Sequence, residues 1–139
     1  MIKFIEFCIY SFKNGGWAPL LVFVIHVIAS KGFNAYHYYP SLDIPMHFFG
    51  GVVICYFFWT ASKAPYAYEF LGKHTKFSLF IMLMALTGLA TVLWEFAEWV
   101  ADTVFGESAQ VSITDTMGDM FLGLLGGFVI AVIAAKSKN

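Results

Sequence analysis

The sequence predicts an all-α membrane protein, a four-transmembrane-helix bundle with an N-terminal interfacial amphipathic helix. Of its 139 residues, 60% are hydrophobic and 12% are charged, and a water-soluble domain of this length cannot cover that much apolar surface. Four segments are long enough to cross a hydrocarbon core of ~30 Å, which needs ~20 helical residues. We place the spans at about 17–33, 43–61, 77–101 and 115–135, within a single integral membrane domain, 1–139.

The predicted interfacial helix covers about residues 1–13. Its polar positions form one stripe on an otherwise apolar helix, as in helices that lie in the membrane interface: Lys3, Glu6, Tyr10 and Lys13. Asn14, Gly15 and Gly16 predict a turn from this helix into the first span. A cleaved signal peptide is the alternative interpretation, with Val27-Ile28-Ala29 as a poor cleavage site.

The lysines predict the orientation. The chain has eight lysines and arginines together, all of them lysine, and only Lys31 falls on the outward side of the predicted spans. By the positive-inside rule both termini face the cytoplasm of a bacterial inner membrane, and the far ends of the spans face outward. Nucleic-acid binding has no support in the sequence, because there is no basic patch. The other lysines share the cytoplasmic side: Lys3, Lys13, Lys63, Lys73, Lys76, Lys136 and Lys138.

Acidic residues gather at the outward ends of the last three spans. Helical residues three, four or seven apart share a face, so each span directs its polar residues to one side. Acids inside membrane spans are costly and are kept mainly for function. We therefore expect one shared polar site, made from Asp43 and His47, from Glu95, Glu98 and Asp102, and from Asp115 and Asp119, with Glu107 in the loop between the last two spans.

A bound divalent cation is the predicted role of this cluster, because close carboxylates cannot all stay ionised without compensation. Carboxylates with one imidazole suit Zn, Mn or Fe, and all-oxygen sets suit Mg or Ca. Helical bundles also build two-metal sites from such paired motifs. The predicted ligands of this one- or two-metal site are Asp43, His47, Glu95, Glu98, Asp115 and Asp119.

Structural alternatives exist for several of these residues. Asp43 has the position of an N-cap before Pro45, and Ser112-x-x-Asp115 has the spacing of a capping box. The alternative for Asp102 and Glu107 is that both are solvated residues in or near the loop. For the cluster as a whole, the alternative to a metal is that protons and water compensate the charge. His26, midway along the first span, is either a further ligand or a buried histidine bonded to a carbonyl or a threonine.

Glycines concentrate in the second and fourth spans. Small residues let helix backbones approach closely within a membrane. We therefore predict tight packing between these two helices through Gly50, Gly51, Gly118, Gly123, Gly126 and Gly127.

Three motifs together resemble a known family. Asp43-Ile-Pro-Met-His47-Phe-Phe-Gly-Gly, Trp94-Glu95-Phe-Ala-Glu98-Trp99 and Asp115-Thr-Met-Gly-Asp119 resemble small bacterial inner-membrane proteins of the YjdF type and, more distantly, the VanZ-like family. The resemblance spans about residues 40–130. It implies a membrane bundle of four to six helices and no established activity. Asp119 stands where the VanZ-like pattern has asparagine, so a glycopeptide-resistance role is not carried over.

These features predict a metal-dependent membrane hydrolase that acts on a lipid or lipid-linked substrate at the outer leaflet. Bound ions would activate water, with Asp102 or Glu107 as general base. No GxSxG motif supports a serine nucleophile. The alternatives are a divalent-cation transport or sensing protein, and a structural or antibiotic-resistance protein with a structural metal. Membrane lipid is the expected partner, and the sequence leaves a homo-oligomer open.

Overall fold

The computed structural model describes residues 1–137, and most of these residues are helical. It is 85% helix and contains no strand in the described range. Four helical units are long and apolar enough to cross a membrane: Ile2–Gly32, Pro40–Ala61, Lys76–Phe105 and Ile113–Lys136. The predicted all-α fold with four membrane helices is confirmed. Lys138, one of the lysines that predict the orientation, lies outside the described residues.

The first unit is a continuous helix. Helix α1 (Ile2–Ser11) continues into α2 (Trp17–Val27) through π-helical backbone at Phe12–Gly16, and a second π-helical segment, Ile28–Gly32, ends the unit. The predicted turn at 14–16 is therefore wrong, because the wider π-helical turn keeps the backbone helical. Gly15 packs there against the helix that contains Thr60, since an added Cβ would lie 3.0 Å from the Thr60 Cβ.

The remaining elements follow in order along the chain. A short helix, α3 (Ala35–Tyr38), and a 3-10 turn at Pro40–Leu42 lead into α4 (Asp43–Ala61). Helix α5 (Ala67–Leu71) precedes α6 (Lys76–Phe105), which begins with a Thr75–Ser78 capping box and ends at Gly106 with φ of 68°. Such a left-handed glycine is a common helix stop. Residues 106–112 then connect α6 to α7 (Ile113–Lys136).

Helices α4 and α7 form the closest pair in the bundle. A Cβ added to Gly51 would overlap the carbonyl of Gly123, and one added to Gly126 would overlap the carbonyl of Phe48. The predicted tight packing between these helices is therefore confirmed at Gly51, Gly123 and Gly126. Gly50 and Gly118 take no part in it, since an added Cβ there would meet nothing within 4 Å, and Gly127 instead faces Thr87 of α6. Helix α6 covers α7, and fully buried Cys55 and Leu83 lie in the core between the helices. Helix α2 packs mainly against α4, which leaves a cleft between α2 and α6.

Candidate metal centre

His47 lies at the centre of a group of carboxylates that come from three helices. Its Nε2 lies 3.3 Å from Oδ1 of Asp43 and 3.9 Å from Oδ1 of Asp119. Its Nδ1 lies 3.7 Å from Oε1 of Glu95. Helices α4, α6 and α7 therefore bring together four of the predicted site residues around one largely buried imidazole.

The start of α4 sets the position of Asp43. The helix begins at Asp43 with Leu42 as its N-cap, and the Asp43 side chain makes no capping hydrogen bond. The N-cap interpretation of Asp43 is therefore wrong, because the 3-10 turn before α4 already brings Asp43 into the helix. Its carboxylate lies against His47, one turn further along the same helix.

Glu95 is the most buried carboxylate of the group, with 5% of its surface exposed. Its Oε2 accepts a hydrogen bond from the Gln110 amide at 3.3 Å, and the same amide donates to the Glu95 carbonyl at 3.0 Å. Its Oε1 has no hydrogen-bond partner among the described residues. An unsatisfied buried carboxylate oxygen is costly and needs an explanation. Glu98 is half-buried and accepts a hydrogen bond from Trp94 Nε1 at 2.8 Å.

Two overlapping sets of side chains have the geometry to hold a cation. One potential ligand atom from each of Asp43, His47 and Asp119 lies within 4.8 Å of the other two, and the same holds for His47, Glu95 and Glu98. Ligand atoms ~2.0–2.2 Å from one tetrahedral ion are roughly 3.4 Å apart, close to the distances around His47. A neutral imidazole offers a lone pair on only one ring nitrogen. An ion on one side of His47 therefore leaves the other nitrogen as an N–H donor.

The structure does not bring Asp102, Glu107 or Asp115 into these sets. Both Asp102 oxygens accept backbone hydrogen bonds, from Ala109 at 2.8 Å and Gln110 at 2.9 Å. Asp102 therefore organises the connecting loop. Glu107 forms an ion pair with Lys31, which lies at the end of the α1–α2 unit.

Asp115 lies in the first turn of α7. Its backbone N–H donates to Ser112 Oγ at 3.1 Å, which is one of the two bonds of the predicted capping box. Its carboxylate makes no hydrogen bond or ion pair within residues 1–137 and lines a cavity beside the cluster.

This polar cavity has a volume of about 870 Å³ and lies beside the His47 cluster. Carboxylates on several elements line it, together with the lysine that pairs with one of them. A cation or a ligand bound to Glu98 would therefore be reachable from this space. The charged residues in its wall are Lys31, Asp43, Glu98, Glu107 and Asp115.

His26 and Tyr36 form a hydrogen-bonded pair in the wall of the same cavity. His26 Nδ1 lies 2.8 Å from the Tyr36 hydroxyl, and the imidazole stands edge-on to the Trp94 ring at 5.3 Å. Burial raises the pKa of Tyr36 to about 12, and the negative charges of Asp43 and Glu98 add to the shift. The Tyr36 phenol is therefore neutral near pH 7. The partner of His26 is a tyrosine, so neither the carbonyl nor the threonine alternative is correct.

Comparisons with known proteins agree with this membrane architecture. A family model described as "Predicted membrane protein (DUF2238)" matches residues 9–139. The chain belongs to the DUF2238 family. An uncharacterized protein of Thermotoga maritima is 30% identical over 121 residues, which cover 83% of this chain and 58% of that relative. This DUF2238 protein thus spans little more than half the length of its relative. No solved structure matches it.

The DUF2238 membership agrees with the YjdF-type resemblance, since DUF2238 is the YjdF family, whereas the comparisons do not show a VanZ-like relation. Sequence reasoning missed three residues of the site in this DUF2238 protein: Tyr36, Trp94 and Gln110. The four-residue spacing of Trp94 and Glu98 predicts a shared helix face and was a usable signal. Tyr36 and Gln110 lie outside the long helices, where spacing predicts no contacts.

Proposed function

We propose that this DUF2238 protein is a metal-dependent membrane hydrolase with one divalent ion on the Nδ1 side of His47. The observation that carries this proposal is the buried Glu95 Oε1, which lacks a hydrogen-bond partner within residues 1–137 and lies 3.7 Å from His47 Nδ1. A cation between these atoms would satisfy both of them. One nitrogen with carboxylate oxygens suits Zn, Mn or Fe better than Mg or Ca, which prefer oxygen ligands.

The arrangement favours the Nδ1 side of the ring over the Nε2 side. Asp43 is the carboxylate nearest to the ring, at 3.3 Å from Nε2, and a carboxylate that accepts the second N–H of a ligating histidine fixes its tautomer and orientation. Glu98 belongs to the same possible ligand set as His47 and Glu95, and it lines the polar cavity, so an ion held by this set is accessible. A second ion held by Asp43, Asp119 and the Nε2 atom of His47 would require His47 to bridge both ions as an imidazolate. One ion is therefore the simpler arrangement.

In the proposed reaction, His47, Glu95 and Glu98 would hold the ion, which would supply an activated water and polarise a phosphoryl or acyl oxygen. Asp115 takes the role of general base that the sequence assigned to Asp102 or Glu107. Its carboxylate is unpaired within the described residues and lines the same cavity as Glu98, whereas Asp102 is held by two backbone amides. A general base within reach of the reacting water contributes roughly 10²–10⁴-fold to the rate.

A lipid or lipid-linked substrate is proposed because Asp43, His47 and Asp119 lie near the first residues of α4 and α7, which are long enough to cross a membrane. The outer leaflet follows from the lysine distribution and the positive-inside rule. Transport gains no support from the packing beyond the cluster. There Cys55, Leu83 and Thr87 are fully buried, and the close α4–α7 contact leaves no room between these two helices.

Elemental analysis of the detergent-purified protein tests the metal centre. Wild type is expected to bind about one equivalent of Zn, Mn or Fe, and Glu95→Gln is expected to bind none while keeping its helical content. Glu6→Gln, the same change at an exposed position of α1, is the matched control and should keep the metal. Metal in Glu95→Gln, or no metal in wild type, would overturn the proposed centre.

Turnover is tested with the metal-loaded protein in vesicles of phosphatidylglycerol and phosphatidylethanolamine. Mass spectrometry of the extracted lipids is expected to detect a hydrolysis product that disappears when a chelator removes the ion. Bound metal without any product, together with unfolding on chelation, would indicate a structural ion and would overturn the hydrolase.

A further inference from the structure

We infer that the cleft between α2 and α6 binds one linear acyl chain of the lipid substrate. This inference rests on the proposed hydrolase function and names how its substrate is held. The cleft has a volume of about 270 Å³, and residues of α4 also line it. Its apolar wall comes from all three helices: Pro19, Val22 and Phe23 on α2, Met46, Val53 and Ile54 on α4, and Ala90 on α6.

The cleft adjoins the polar cavity. Phe23, His26 and Trp94 line both spaces, and the Trp94 ring contacts the rings of Phe23 and His26 edge-on. His47 also lines the cleft. A lipid whose headgroup occupies the polar cavity could thus extend its chain past His47 into the cleft. The polar cavity thus matches the headgroup of a membrane lipid, and the apolar cleft matches its acyl chain.

The chemistry of the cleft suits a hydrocarbon chain. No lysine or carboxylate lines it. Its one hydroxyl, on Thr91, already donates to the Gly88 carbonyl at 2.8 Å. The volume lies just below the ~300 Å³ at which pockets for small molecules usually begin. One narrow chain therefore fits better than a headgroup or a ring system.

Gly50 creates part of this space. A Cβ added to Gly50 would meet nothing within 4 Å, so the adjoining cleft exists partly because this position has no side chain. Gly51 differs, because its missing side chain serves the contact with α7. A larger residue at Gly50 is therefore expected to fill the cleft without moving the backbone.

The cleft is expected to orient the chain more than to strengthen its binding. The bilayer is itself as apolar as a leucine side chain, so burial in the cleft adds little hydrophobic free energy. A fixed chain instead holds the polar end of the lipid in one place relative to His47. Correct positioning of reacting groups is a large part of enzymatic rate enhancement.

The test uses phosphatidylglycerol with a photoreactive diazirine on one acyl chain, in vesicles that contain the protein. After irradiation, adducts mapped by peptide mass spectrometry are expected at Val22, Ile54 and Ala90. Gly50→Leu and Ala90→Leu should each reduce these adducts at least ten-fold. Ala85→Leu, the same change at an exposed α6 position outside the cleft, should leave them unchanged.

Two results would overturn the acyl-chain site. One is equal labelling of the cleft and of exposed α6 residues such as Ile81 and Leu89, unaffected by Gly50→Leu. The other is displacement of the label by a polyprenyl phosphate but not by unlabelled phosphatidylglycerol, which would assign the cleft to an isoprenoid chain. Metal content measured in the same samples separates the two proposals. Cleft labelling without bound metal refutes the metal centre alone, and bound metal without cleft labelling refutes the acyl-chain site alone.

Discussion

The Asp43 carboxylate lies one helical turn before the His47 imidazole on α4, with Oδ1 3.3 Å from Nε2. This contact engages one ring nitrogen, and the other nitrogen, Nδ1, lies 3.7 Å from the buried Glu95 Oε1. The same helix therefore supplies both the histidine and the group that orients it. The two ring nitrogens of His47 are therefore expected to have different roles, and mutations can test which of them binds an ion.

Asp43→Asn and Glu95→Gln should differ in their effect on metal affinity. Loss of an orienting carboxylate typically lowers metal affinity by about 10–100-fold, so Asp43→Asn should bind metal weakly but stoichiometrically. Glu95→Gln removes a ligand charge and should show no stoichiometric binding. Competition titration against a chromophoric zinc chelator measures both. The reverse order, with Asp43→Asn the more damaging change, would place the ion on the Nε2 side with Asp119.

Helical spacing predicted much of the site but not its division into roles. The separations of Asp43 from His47 and of Glu95 from Glu98 predict shared faces, and the structure places these residues around one imidazole. The same spacing places Asp102 on the Glu95 stripe. Its carboxylate nevertheless binds the backbone of Ala109 and Gln110, because the connecting loop folds back over the end of α6.

The four membrane helices were predictable from the lengths of the apolar segments, and the close packing of α4 and α7 was predictable from their glycines. The continuation of helix through Asn14–Gly16 was not predictable, because Gly15 there serves a contact with Thr60 of another helix. From the local sequence alone, a pair of glycines indicates a turn. In the folded bundle, Gly15 instead allows the first helix to pack closely against α4. Tertiary packing decided between these two readings.

Gly51→Ala should destabilise the bundle, whereas Gly50→Ala should not. The Cβ at position 51 would overlap the Gly123 carbonyl, which is backbone and cannot rotate away, but the Cβ at position 50 meets nothing within 4 Å. Overpacking of this kind typically costs about 1–3 kcal/mol. Thermal unfolding in detergent, followed by circular dichroism, compares the two neighbouring variants. Equal melting temperatures would contradict the close α4–α7 contact.

The Tyr36 phenol should ionise unusually late. Its pKa is raised to about 12, first by burial and then by the charges of Asp43 and Glu98, compared with about 10 for a free tyrosine. Because the folded-state pKa is the higher one, any stability from the neutral phenol is present below pH ~10 and is lost as the pH rises toward 12.

The measurement is the tyrosinate absorbance of wild type minus that of Tyr36→Phe, titrated with base in detergent. Tyr38→Phe, which removes an exposed tyrosine, controls for the loss of one chromophore. A difference spectrum that titrates near pH 10 would show that Tyr36 is not shielded from water in the folded protein.

Asp102→Asn and Asp115→Asn should separate loop structure from catalysis. The asparagine at 102 keeps one acceptor but loses the charge that binds two backbone amides, so hydrogen exchange at Ala109 and Gln110 should accelerate while metal content is retained. Asp115→Asn should leave this exchange unchanged and lower lipid turnover by about 10²–10⁴-fold, the usual contribution of a general base. Hydrogen-exchange mass spectrometry and the vesicle assay provide the two readouts. Lost turnover in Asp102→Asn with normal exchange would return the role of base to Asp102.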